Sequence, residues 1–76
     1  MAQYSGILVL ESGGQKSYLH KSDGTEYLMV CASNNSAYGA YNYFHQAYPA
    51  GKSISVQGTL IRLSGGTGQV LAVDVC

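Results

Sequence analysis

The residues of this chain whose types suit chemistry are two cysteines, two histidines, four acids and seven tyrosines. Cys31, Cys76, His20 and His45 are the candidate metal ligands. They show neither C-x-x-C nor H-x-x-x-H spacing, so no metal site is expected. Glu11, Asp23, Glu26 and Asp74 are scattered, and no two are spaced to converge as a general acid and base. Neither histidine has an evident nucleophile or oriented carboxylate. The glycine-rich stretch Gly65-Gly66-Thr67-Gly68 has the composition of a phosphate loop. A phosphate cradle needs a helix directly after the glycines. The residues that follow, QVLAVDV, read instead as a strand, so the stretch is expected to be a hairpin turn. No enzyme chemistry and no cofactor is expected. Cys31 and Cys76 stay open at this point, as a disulfide or as one buried and one terminal thiol.

The sharpest binding candidate follows from the Asp23-Gly24 pair between two alternating runs. Asp-Gly at the centre of a type I′ turn predicts a hairpin with a defined register. Lys21 then opposes Glu26, His20 opposes Tyr27, Leu19 opposes Leu28 and Tyr18 opposes Met29. One face carries Leu19, Leu28 and Val30, which suits a core. The other carries Tyr18, His20, Tyr27 and Met29, flanked by Lys16 and Lys21.

The elements that position these residues read as strand, strand, strand, short helix, strand, strand. Residues 4–11 (YSGILVLE) form a first strand, apolar on both sides, with core on one face and a cover expected on the other. Ser12-Gly13-Gly14 is a turn. Residues 15–21 and 26–32 are the second and third strands. Ser33-Asn34-Asn35-Ser36 then offers helix N-cap residues. Ala37, Tyr41, Phe44 and Tyr48 recur at helical spacing, predicting a helix over 37–48 that ends at Pro49-Ala50-Gly51. Tyr41, Phe44 and Tyr48 are expected to face the core, with Tyr38, Tyr43 and His45 outside. Residues 52–63 and 68–76 are strands four and five. Ile54, Val56, Gly58 and Leu60 share a face of strand four. A bulge or sharp coil at Gly58-Thr59 is expected to bring Ile61 and Leu63 back inside.

With 76 residues the chain is expected to be one domain, 1–76, whose small core calls for a staple. Apolar residues make up 46%, which argues for a folded globule; charged residues make up only 11% and the net charge is zero. Lys16, Lys21, Lys52 and Arg62 are too few and too dispersed for a duplex-binding surface. No apolar run reaches the roughly 18 residues that a spanning helix needs. Nothing at the N-terminus has the form of a signal peptide.

The element order and the segment Gly51-Lys52-Ser53-Ile54-Ser55-Val56-Gln57-Gly58-Thr59-Leu60 resemble the OB-fold (oligonucleotide/oligosaccharide-binding) superfamily, in the manner of small bacterial members. The hairpin Ser22-Asp23-Gly24-Thr25-Glu26-Tyr27 resembles the one between that fold's second and third strands. The resemblance implies an all-β, five-stranded OB-like barrel with a short helix between strands three and four. An SH3-like barrel is the competing architecture, against which the helical segment argues. The resemblance also implies that strands three and five lie parallel and adjacent, which would let Cys31 and Cys76 pair. Such a bond points to an oxidising, extracytoplasmic setting. Finally, it implies that the outer face of strands two and three, with Tyr18, His20, Tyr27, Met29, Lys16 and Lys21, meets the ligand. The expected function is a non-catalytic binding or protein-interaction module for a protein, peptide or saccharide. Zero net charge disfavours the alternative of a single-stranded nucleic-acid binder. A structural or assembly subunit is the third reading.

Overall fold

A computed structural model of the chain describes residues 2–62 and 68–76. Its elements are β1 (Ala2–Glu11), β2 (Lys16–His20), β3 (Glu26–Cys31), α1 (Ala37–Ala47), β4 (Ser53–Ile61) and β5 (Val70–Val73). The strands close into one barrel in the order β1-β2-β3-β5-β4. This is the all-β, five-stranded barrel with a helix between strands three and four that the sequence suggests. The expected glycine turn of the last hairpin, and Leu63 with it, falls mostly on residues 63–67, outside the described residues.

Closure depends on β1 serving two neighbours. Its residues up to Ile7 pair antiparallel with β4, and those from Ile7 onward pair with β2. β3 and β5 run parallel, Leu28 beside Val70 and Cys31 beside Val73. The alternation of β4 follows the sequence pattern, with Ile54, Val56 and Gly58 buried and Leu60 half-buried against the core. Together with Leu8, Leu19, Met29, Leu71 and Val73 they fill the barrel. No bulge interrupts β4 at Gly58. The ladder with β5 continues through Thr59, Leu60 and Ile61, so Ile61 does not return to the interior. It packs instead with Val30, Val70, Ala72, Leu28 and Ala37 in a second apolar cluster. β1 also differs from expectation. Leu8 is fully buried, but Ile7 and Val9 on the opposite face stand 41% and 36% exposed.

The β2–β3 turn corrects the expected register. Three residues, Ser22, Asp23 and Gly24, form the loop, because Lys21 N–H donates to the Thr25 carbonyl at 2.7 Å and Gly24 N–H to the Lys21 carbonyl at 3.0 Å. Only Gly24 takes a positive φ, +91°. Asp23 stays out of the left-handed region and accepts the Thr25 N–H at 2.9 Å through its carboxylate. The result is a type I turn closed by a glycine bulge rather than a two-residue type I′ turn. Tyr18 therefore opposes Leu28, Leu19 opposes Tyr27 and His20 opposes Glu26, a one-residue shift. Because strand side chains alternate, that shift moves every β3 residue to the other face relative to β2. The Thr25 N–H, then the Thr25 hydroxyl and the Lys21 charge, hold the Asp23 carboxyl below its ordinary value. A depressed folded value means that this turn's contribution is complete above the unfolded carboxylate value and lost as pH falls through the folded one. A carboxyl NMR titration of Asp23 should give a midpoint below that of a free aspartate; a midpoint at or above it would contradict the turn geometry.

Helix α1 starts where Ser36 Oγ accepts the Gly39 N–H at 2.9 Å, an N-cap. It ends with the Tyr48 N–H on the Phe44 carbonyl, one residue before Pro49. Ala40 and Phe44 are its buried residues, and burial of a phenylalanine side chain contributes roughly 1.5–3 kcal/mol. Tyr48 packs at the rim of the core. Tyr41 does not enter it, contrary to the expected face. It is half-buried and stacks on His45, with ring centroids 4.9 Å apart and planes 14° apart. The small Ala40 takes the inward place because the helix lies close against β2 and β3. Tyr38 and Tyr43 are exposed, as expected.

Among the described residues, Ser17 is the buried polar residue of the barrel interior, and its hydroxyl finds no hydrogen-bond partner among them. An unpaired buried hydroxyl costs free energy that a methyl group does not. Ser17→Ala should leave stability unchanged or raise it by about 1 kcal/mol in chemical denaturation. A loss of stability would show that the hydroxyl is satisfied in solution.

Cys31 and Cys76 form a disulfide, with Cα atoms 4.8 Å apart and a sequence separation of 45. The parallel β3–β5 pair brings both to the same end of the barrel. Ala32 N–H donates to the Val73 carbonyl and Ser33 N–H to the Cys76 carbonyl, at 3.0 and 3.2 Å.

Candidate functional site

The register aligns one row of side chains on the outward side of the sheet, Val9, Tyr18, Leu28, Val70 and Ile61, each beside the next on neighbouring strands, with Val70 itself buried in the second apolar cluster. The inward partners one residue away, Leu8 and Leu19, are fully buried, which fixes this row as outward. Adjacent strands lie roughly 4.8 Å apart, which sets the spacing of consecutive members of the row. A second row, Ile7, His20 and Glu26, runs alongside it. Glu11 and Lys16 pair at the end of the β1–β2 ladder. Tyr18 is thus the aromatic centre of a three-stranded outer face, with Val9 and Leu28 on either side, Ile7 diagonal to it on β1 and His20 two residues along β2.

The expected binding set is divided by this geometry. Tyr18, His20 and Lys16 share the outer face. Met29 is fully buried in the core and cannot meet a ligand there. Tyr27 turns inward, packs on the core and meets Tyr4 edge to face, with ring centroids 6.2 Å apart. Lys21 lies in the turn, its Nζ 5.6 Å over the Tyr27 ring and 3.8 Å from the Asp23 carboxylate. The one-residue shift of the β2–β3 hairpin is the physical cause. It also brings Leu28 to the outer face, and the β1–β2 ladder adds Ile7 and Val9, which were not expected there. Ile7 and Val9 lay hidden in the unbroken run Ile7-Leu8-Val9-Leu10, which gives no alternation to separate the two faces.

Charge on this face is mixed. His20 Nδ1 stands 3.4 Å from Glu26 Oε2, with the two side chains 49% and 44% exposed. An exposed pair of this kind contributes little to stability. Lys21 has the Asp23 carboxylate 3.8 Å away, which offsets its charge, and Lys16 has Glu11 as its partner across the β1–β2 ladder. Beside this face, β1 and β4 carry a hydroxylated seam in which Gln3 Nε2 donates to Ser55 Oγ at 2.8 Å and Ser5 Oγ lies 3.3 Å from it. Among the described residues there is no enclosed pocket and no group of three metal-ligating side chains. None of the described helices is long and apolar enough to cross a membrane.

These features define a small closed β-barrel with an apolar, aromatic-centred face on its outer sheet surface. Comparison with family models, with curated proteins and with solved structures found no match to the chain.

Proposed function

We propose that this chain is a non-catalytic binding module of the OB type, with its ligand surface on the outer face of β1, β2 and β3. The strand order β1-β2-β3-β5-β4 and the helix between β3 and β4 support the OB assignment. The observation that carries the binding role is Tyr18, half-buried at the centre of that face between Val9 and Leu28. A tyrosine so held offers a rigid ring and a polar tip at low entropic cost. Half-exposed Ile7 and Val9 beside it suit apolar contact, and a chain of zero net charge with Lys21 beside Asp23 gives little attraction for phosphates. A protein, peptide or saccharide ligand fits this chemistry better than a nucleic acid. The disulfide supports an extracytoplasmic setting.

The test is an NMR titration of the labelled protein against peptide pools, neutral oligosaccharides and a mixed single-stranded DNA at low salt. Shift changes should centre on Ile7, Val9, Tyr18 and His20, and Tyr18→Ala should weaken the bound class about tenfold or more. DNA binding that falls steeply with salt would replace this reading with the nucleic-acid one. Changes centred on the exposed helix residues Tyr38 and Tyr43 would overturn the assigned face.

A further inference from the structure

The two sulfurs of the disulfide are not equivalent. Cys31 is 3% exposed and belongs to the core cluster, whereas Cys76 is half-buried at its edge. Helix α1 covers the Cys31 side. Its backbone at Gly39 comes so close that a Cβ there would lie 2.9 Å from Cys31 Sγ. The loop between β3 and α1 wraps the same residue: Cys31 N–H donates to the Ser36 carbonyl at 3.0 Å, and Asn35 N–H to the Cys31 carbonyl at 2.7 Å. Backbone therefore crowds Cys31 Sγ from the helix side, while Cys76, half-buried at the edge of the core, is the more accessible residue of the pair.

We propose that Cys76 is a site of S-thiolation by soluble thiols, with Cys31 as the leaving sulfur, so that the disulfide acts as a redox-operated clasp on α1 and residues 74–76. A thiolate of the attacking thiol forms a bond to Cys76 Sγ, and the Cys31–Cys76 bond breaks. The bonding pair departs on Cys31 as a thiolate, which then takes a proton from solvent. A second thiol attacks the mixed disulfide and releases the Cys76 thiol. Two thiols are oxidised to one disulfide, and the protein disulfide is reduced to two thiols. Burial opposes a lasting charge on Cys31, so proton uptake from solvent completes its release as a thiol. The β3–β5 ladder and the core remain, because neither uses the sulfur–sulfur bond for its hydrogen bonds. What is released is the hold on the 31–39 loop and helix start, and on the residues after β5.

The experiment treats the oxidised native protein with graded reduced glutathione, quenches in acid with N-ethylmaleimide and maps adducts by mass spectrometry. Glutathione on Cys76 should exceed that on Cys31 by about tenfold or more. Amide spectra of the protein fully reduced with dithiothreitol should then move at residues 31–39 and 73–76 and keep the β1–β2 ladder resonances in place. Adducts on Cys31, or equal adducts on both, would overturn the assignment of roles. So would a disulfide that glutathione opens only in denaturant, or a reduced protein with the spectrum of an unfolded chain.

Discussion

Gly58→Ala is expected to cost the barrel about 3 kcal/mol. Gly58 lies between two strands at once, beside Ala2 of β1 and Val73 of β5. A Cβ there would run into the Ala72 carbonyl oxygen, with the Val73 Cα 3.2 Å away. Both obstacles are backbone, so no rotamer change relieves the clash. β5 itself must move, and all four of its residues are buried. The displacement would disturb the inner cluster through Leu71 and Val73 and the outer one through Val70 and Ala72. Gly13→Ala is the control, since nothing lies within 4 Å of a Cβ at that position. It should stay within about 0.5 kcal/mol of the parent. Urea unfolding checks both variants, with the midpoint falling and the slope unchanged for Gly58→Ala. A loss under about 1 kcal/mol would mean that β5 yields easily and that Gly58 does not control closure.

Removing the disulfide should have an effect of similar size by a different route. The double variant Cys31→Ala, Cys76→Ala takes away a cross-link that spans a sequence separation of 45. In the chain-entropy account this returns about 3–4 kcal/mol of freedom to the unfolded chain. For a domain of this length the melting temperature should fall by more than about 10 °C. The native contacts change little, because Cys31 is a small apolar part of the core in either form. The loss should therefore appear mainly as a change in unfolding free energy, with near-native amide spectra in water. A double variant as stable as the parent would show that the reduced unfolded chain is already held compact. Reduction of the parent protein should reproduce the loss, which ties this result to the clasp at Cys76.

Much of the scaffold was legible because its signals are local. Apolar alternation marked β4, with Ile54, Val56 and Gly58 on one face, and the structure keeps that face inside. Four N-cap-capable residues announced the start of α1, and the Ser36 hydroxyl is the one that caps it. The helix face was harder to read. The spacing of Tyr41, Phe44 and Tyr48 fits an inward stripe, but the stripe Ala40 and Phe44 fits the same period. The closeness of β2 and β3 selects the smaller residue. Ile61 shows a related limit. A coil at Gly58 was the local way to keep it dry. The barrel instead keeps the ladder intact and lets Val70 on the adjacent strand shield it from outside.

The residues around Tyr18 separate what sequence determines from what tertiary structure decides. The sequence by itself determined that a hairpin turns at Asp23-Gly24, that its strands carry aromatic and aliphatic side chains on alternating faces, and that five such strands with one helix make up the chain. Those features depend on backbone dihedral preference and on the period of a strand, which are properties of neighbouring residues. Which side chains stand together on the outer face was decided by one extra residue in the turn, where Asp23 capped Thr25 and left Gly24 alone to take the positive φ. The difference is small locally and complete at the level of the sheet, since a period of two turns a one-residue slip into an exchange of faces. Burial then selected among the registers. With Leu19, Tyr27 and Met29 inside, the barrel fills with the larger side chains, and Tyr18 is left outside with Ile7 and Val9 as its neighbours.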